Sequence, residues 1–483
     1  MEAQAPSSDS LEVKGLSSDS LEVEPRRALS CPQNNGGAVT SSKHSISPDS
    51  RRRRVLTFGS FTGTEMILPV SHEESLSLLK EGTGTTGAAA MQVMLTCLGI
   101  AALCMPYLFA QVGWGLGTAI LVVPAAVSCV SMRQIAILGD LTKKNTMAGA
   151  FSPYVGSRVG LIISIIFFIL FEFIVAACMA IPCDILPSLV PDSGVDNVVV
   201  GAATVLFAAC CGFVKDLKGL DAVLSPSIFL VLGLMVYVVA RALLNDERHE
   251  IEFAILDRPN LSKRLFDTLS TAWTAFGAEC AMLAIFFNTA PEHRTSTKPC
   301  PFLMRVIDFP MFCLLAIYFT FGLAGYSQYG SEVEANLLLT MGNEMCAIFA
   351  KIGLSFVNAA RVPLFNVVQW HTVLELFPVV HRFETVGFGL GRCILMSLMN
   401  ITSLALLLFL DDFGKVLALI GGIVGIPVFT LLPGLAWLSS RYCPTVTPRM
   451  LDKSMSHYAI DAASVVLVCF ACVFYVANLA SYF

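Results

Sequence analysis

Three ionisable side chains stand far from water in this sequence: Glu172, Glu279 and Arg361, each near the middle of a long apolar stretch. A charge at the centre of a hydrocarbon layer costs roughly 2.5 to 3.5 kcal/mol on insertion scales, so each needs a partner or a task. Successive membrane spans alternate in direction, which puts all three within about two helical turns of one depth at roughly 1.5 Å per residue. They can therefore meet inside a bundle. Three assignments stay open: a buried ion pair holding helices together, handling of a substrate or proton, or exposure to lipid. Lys351, Ser355, Asn358 and Arg361 fall on one helical face at about 100° per residue, a polar stripe that faces protein or a water-filled path. His44, His72, His249, His293, His371, His381 and His457 lie outside the apolar stretches or at their ends. Any proton coupling then falls to an acid, and Glu279, which closely follows Gly277, is placed for it.

Other chemistry is excluded by what these stretches lack. An intramembrane enzyme needs a Ser/His, paired Asp or HExxH constellation at depth, and the histidine placement argues against one. Most of the 16 cysteines, Cys97, Cys104, Cys178, Cys210, Cys211, Cys469 and Cys472 among them, sit in apolar runs without matched CxxC pairs, so they read as small buried hydrophobes. The reading calls for no catalytic residue, no metal and no cofactor. A net charge of -5 gives no reason to expect a nucleic-acid partner.

The elements that must position these groups are membrane helices. Hydrophobic residues make up 55% and charged residues 14% of the chain, against about 25% charged in soluble domains. Residues 1–85 are expected to be a disordered cytoplasmic tail, rich in Ser, Pro, Asn and Gly, with a repeated Ser-Ser-Asp-Ser-Leu-Glu-Val and the run Arg51-Arg52-Arg53-Arg54. The tail has no apolar stretch of a signal peptide and is expected to stay on the protein. Residues 86–483 form the transmembrane domain, with about eleven spans near 88–111, 115–138, 159–187, 195–214, 222–243, 265–288, 304–327, 345–369, 386–410, 413–438 and 458–482. Lys and Arg concentrate in the tail and in alternate loops, which predicts a cytoplasmic N-terminus and a C-terminus on the other side. Asn260-Leu261-Ser262 is a glycosylation acceptor placed too near span 6 to expect modification.

Irregular backbone at membrane depth marks a site, because an unsatisfied amide there costs several kcal/mol. Span 1 carries Gly99 near its middle and Pro106 about two turns later, and span 6 carries Phe276-Gly277-Ala278-Glu279. Breaks five spans apart are expected where two inverted five-helix repeats each begin with an interrupted helix.

Gly99-Ile100, Leu103, Met105-Pro106-Tyr107 and Gln111-Val112-Gly113-Trp114 resemble the first-span signature of the amino acid/auxin permease family. Phe276 to Glu279 with Pro291, Gly325-Tyr326-Ser327-Gln328-Tyr329-Gly330, and Ile420-Gly421-Gly422 with Leu432-Pro433-Gly434 are similar to later family motifs, so the resemblance covers roughly residues 85–480. It implies an all-α polytopic fold, a 5+5 inverted repeat plus one extra helix, and secondary transport of neutral or cationic amino acids by alternating access. Gly99, Ile100 and Ala101 would then supply span-1 substrate contacts and Phe276, Gly277 and Ala278 those of span 6, with Glu172, Glu279, Ser355, Asn358 and Arg361 left for coupling or selectivity. Sodium-coupled members place an Asn where this chain has Val93, which favours proton coupling or facilitated exchange. The expected partners are an amino acid, the lipid bilayer and protons, and the expected home is the plasma membrane, with a vacuolar or lysosomal membrane as the alternative. A membrane amino acid sensor with little flux and a channel are the rival readings, and the channel lacks a pore-loop signature.

Overall fold

The computed structural model describes residues 84–190, 194–211, 217–244, 249–256, 260–291, 301–380, 389–410, 416–417, 420–442 and 455–482. Apart from Gly84 and Thr85, the tail expected over residues 1–85, with its Arg run and serine-rich repeat, lies outside the described residues.

Long apolar runs become helices because a backbone amide away from water finds its partner only in another amide. The first, α1, is Thr86–Cys97, begun by Thr85, whose side chain accepts from the Ala88 amide at 3.2 Å. A 3-10 turn, Ile100–Cys104, separates it from α2, Met105–Val112. Pro106 lies in the first turn of α2, where its missing N–H has no partner to lose, so it restarts the helix rather than breaking it. The two halves meet at 49°. Gly113, at φ 87°, then turns the chain into α3, Trp114–Thr142.

The short α4, Met147–Val155, leads to α5, Ser157–Leu189. Then come α6, Asn197–Cys211, and α7, Leu217–Leu244. The second interrupted span is α8, Leu261–Ala275, and α9, Glu279–Asn288. Asn260 heads α8 directly, so the acceptor tripeptide is part of the helix start. A wide π turn, Met304–Asp308, feeds α10, Phe309–Tyr329. The 32-residue α11, Met345–Leu376, packs along α5, and α12, Leu390–Leu410, follows. Two π turns, Ile420–Gly425 and Pro427–Leu431, lead into α13, Leu432–Tyr442, and the last helix is α14, Met455–Tyr482.

Among the described residues, eight helices are long and apolar enough to cross a membrane, and the bent first pair makes one more. Asn197–Cys211 and Ile228–Leu244 are shorter apolar helices standing where spans 4 and 5 are expected. The all-α polytopic class follows, and side chains such as Leu161, Phe229, Phe312 and Phe349 stay exposed because lipid rather than water covers them.

Candidate functional site

The two interrupted spans lie side by side in opposite directions. α1 packs on α9 and α2 on α8. At one end the Gly84 amide donates to Asn288 at 2.9 Å and the Ala290 amide to Gly84 at 3.0 Å. At mid-depth both chains leave α-helical geometry, at Gly99 (φ -107°, ψ -115°) and at Phe276 (φ -104°, ψ 11°). The last carbonyls of a helix half have no amide one turn on, so they seek other donors.

Two side chains supply them. The Tyr318 hydroxyl, from α10, lies 2.7 Å from the Cys97 carbonyl oxygen and 3.3 Å from that of Ala275, so one phenol spans the ends of both α1 and α8. The Arg361 guanidinium, from α11, donates through Nη2 to the Leu95 carbonyl. Around these lies a cavity lined by Thr96, Cys97, Ala101, Thr274, Gly277, Cys280, Arg361, Phe365 and Phe429, with room of about 40 Å³ for the centres of water-sized molecules. The Thr274 hydroxyl donates to the Leu417 carbonyl at 3.0 Å, and Gly421 lies so close to the Ser270 carbonyl that no Cβ would fit, which ties α8 to the π turns.

Of the residues expected at the substrate, Ala101 and Gly277 line this cavity. Gly99 adjoins it, because a Cβ there would coincide with the Arg361 guanidinium. Ile100 opens the 3-10 turn. Phe276 is fully buried and turns its ring edge-on to Tyr318, centroids 5.3 Å apart. Ala278 is buried, caps α9 and donates its amide to the Phe276 carbonyl at 2.8 Å.

The three mid-depth charges do not meet. Glu172 is held by neutral donors, Gln369 Nε2 at 2.9 Å, Thr402 Oγ1 at 2.9 Å and Ser403 Oγ at 2.6 Å, on a face of α5 turned to α11 and α12. Glu279 is fully buried, with the Ser128 hydroxyl of α3 as its polar neighbour outside hydrogen-bond geometry. Among the described residues no carboxylate lies within ion-pair distance of Arg361 and no cation within that distance of Glu279. The described residues thus hold no ion pair among the three, and neither acid lines the cavity. The reason is partly axial and partly rotational: Glu172 lies beside Gln369, eight residues or about 12 Å along α11 from Arg361, and each helix turns its charge to a different neighbour.

The polar stripe of α11 is buried throughout, and most of it serves its own helix. Ser355 Oγ donates to the Lys351 carbonyl and Asn358 Nδ2 to the Leu354 carbonyl, each at 2.8 Å. Lys351 Nζ donates to the Met341 carbonyl at 2.8 Å and to Asn343 Oδ1 at 3.1 Å, which anchors the turn before α11 rather than lining a path. Arg361 is the member of the stripe that reaches the cavity.

The sequence reading passes over three groups, Tyr318, His371 and Glu375. Tyr318 looked like any aromatic in an apolar span. His371 was placed beyond the end of span 8, but α11 continues to Leu376. With Asn145, Thr146, Ser164, Thr372 and Glu375 it lines a second cavity. The Ser164 hydroxyl donates to Glu375 at 3.3 Å there. Cys280 lines both cavities, and the second lies towards the end at which α1 begins and α11 finishes. The polar spacing of Thr372 and Glu375 after Gln369 was the available signal.

Comparison with known proteins agrees with this architecture. The family described as Transmembrane amino acid transporter protein matches residues 82–481. Putative sodium-coupled neutral amino acid transporter 8 of Xenopus tropicalis is 24% identical over 438 residues, covering 83% of this chain and 95% of that one. Sodium-coupled neutral amino acid transporter 7 of Homo sapiens is 26% identical over 195 residues, and the match spans 39% of this chain and 40% of the human protein's length. Among solved structures, a manganese transporter of Eremococcus coleocola shares the fold with a TM-score of 0.53 at 11% identity, over 86% of this chain and 90% of that one.

Proposed function

The chain belongs to the transmembrane amino acid transporter family, and we propose that this integral multi-pass membrane protein carries amino acids across a membrane by alternating access. The observation that supports this is the antiparallel pairing of two interrupted spans around one cavity. Helix ends at the two breaks offer an amino acid what it needs: amide donors for the carboxylate where the chain re-enters helix after Gly99, and carbonyl oxygens, each with a second lone pair, for the ammonium. In this reading Gly99, Ile100 and Ala101 act from span 1 and Phe276, Gly277 and Ala278 from span 6. Tyr318 keeps the two breaks in register while the halves outside them tilt.

For coupling, the reading is proton-driven or facilitative transport. The named relatives are sodium-coupled transporters. In this chain Val93 is fully buried and brings no oxygen, and the Leu95 carbonyl, an oxygen a cation could use, already accepts from Arg361. Glu279 is assigned to proton exchange, being a buried carboxyl one residue from cavity-lining Cys280 with no counter-ion among the described residues. Neutral amino acids are the assigned cargo, because among the described residues no carboxylate lines the cavity to receive a cationic side chain. The cytoplasmic N-terminus and the plasma membrane remain the assigned topology and location; reporters fused at Met1 and Phe483 should report opposite sides.

Radiolabelled uptake of the common amino acids by purified protein in liposomes tests the proposal, with proton and sodium gradients imposed separately. Uptake of one or more neutral amino acids, raised by an inward proton gradient or by trans substrate, is expected. Accumulation driven by sodium alone overturns the coupling assignment, and absence of uptake for every amino acid overturns transport.

A further inference from the structure

Arg361 is a buried cation with no anion beside it among the described residues. Its side chain is 2% exposed, Nη2 donates to the Leu95 carbonyl, and Nη1 occupies the space beside Gly99 that a Cβ would need. Nε has no partner. Around it stand Cys97, Cys178 and Tyr318, none of which carries a charge to set against it. A guanidinium keeps its charge at any ordinary pH, and a buried charge without a counter-charge is costly. A purely structural brace between α1 and α11 would need no charge and no opening to the cavity, whereas Arg361 has both.

We propose that Arg361 is the counter-charge for the α-carboxylate of the transported amino acid, an inference that rests on the transporter reading above. A guanidinium presents a planar fork of donors suited to a carboxylate, and the carbonyl bond of Nη2 holds that fork at the break in span 1, where the backbone amides that would share the carboxylate begin. Gly99 is the residue that makes room for it. A positive charge built into the protein then does at this site what a bound metal cation would do. It follows that the site reads the charged carboxylate first, and that α-amides and decarboxylated amines of the same side chain bind poorly.

The test measures ligand-induced thermal stabilisation of the purified full-length protein in lipid nanodiscs. The common amino acids are the first probes; for each that stabilises it, the α-amide and the decarboxylated amine follow, on wild type, Arg361→Gln and Arg361→Lys. Wild type is expected to bind the acid at least about thirtyfold more tightly than the amide, the loss ordinarily seen when one side of a buried charge pair is removed. In Arg361→Gln that ratio should fall to within about threefold, and Arg361→Lys, which keeps the charge but not the fork, should narrow it by about tenfold. A wild type that binds acid and amide equally overturns the proposal, as does a folded glutamine variant that keeps the wild-type preference. Should the glutamine variant not fold, a lysine variant with undiminished acid affinity overturns it equally. A wild type stabilised by no amino acid removes the transporter reading and this inference together, a result distinct from an amino acid that binds without regard to its carboxylate.

Discussion

The Tyr318 hydroxyl lies 2.7 Å from the carbonyl oxygen of Cys97, across 221 positions of sequence, and its second neighbour is the Ala275 carbonyl at 3.3 Å. A single phenol thereby stands between the carbonyl ends of two half-helices. Tyr318→Phe keeps the ring and its edge contact with Phe276 but removes the hydroxyl. The expected result is a loss of about 1 to 3 kcal/mol, the usual penalty for leaving a buried acceptor unmet, read as a lowered thermal midpoint in detergent, together with slower uptake. An unchanged midpoint and uptake rate would show that the two breaks keep their register without the phenol.

The two break glycines should differ in tolerance. A Cβ at Gly99 would coincide with the Arg361 guanidinium, a fully buried group held by a backbone carbonyl. At Gly277 it would meet the Thr274 carbonyl at 3.2 Å and the Phe429 ring edge at 3.3 Å, contacts that small shifts relieve. Gly99→Ala is therefore expected to lower uptake more than about tenfold, and Gly277→Ala to keep most of it, on the general scale of overpacking a filled interior. Gly99→Leu should abolish uptake in correctly localised protein. Equal uptake by the two alanine variants would mean that Arg361 can leave Gly99 at little cost.

Glu279→Gln retains shape and removes the titratable group. Stimulation by an inward proton gradient should disappear while exchange of internal for external amino acid persists. The measurement is paired uptake and counterflow in the same liposome preparation. A glutamine variant that still accumulates substrate along the proton gradient would clear Glu279 of coupling.

Cys280 lines the cavity proposed to receive the substrate, and the second cavity as well. A small membrane-permeant thiol reagent should inhibit uptake, saturating amino acid should slow that inhibition, and Cys280→Ala should resist it. Cys97 also lines the first cavity, so Cys97→Ala is the control that assigns any residual sensitivity. Sensitivity that persists in the double alanine variant would place the reactive thiol elsewhere.

Much of the fold could be read without coordinates, for a physical reason. Whether a stretch crosses a membrane depends on its own length and apolarity, and whether it stays helical at mid-depth depends on its own Gly and Pro, so the spans and the breaks at Gly99 and Gly277 were legible residue by residue. Pro106 was legible as an irregularity, although its position in the first turn of α2 makes it the point where the helix resumes.

What the sequence could not state is the angle through which each helix is turned about its axis, and that angle decides every contact at the site. Glu172 stands beside Gln369, eight residues and about 12 Å along α11 from Arg361, and packing turns it towards Gln369, Thr402 and Ser403, Glu279 towards Ser128, and Arg361 towards Leu95 and Gly99. Tyr318 and His371 carry no local mark of their positions, because a phenol or an imidazole becomes part of a site only through what distant spans bring beside it. The sequence by itself determined a membrane bundle with two weakened spans; the tertiary structure alone decided which side chain fills each break, because helix azimuth is set by packing between segments hundreds of residues apart.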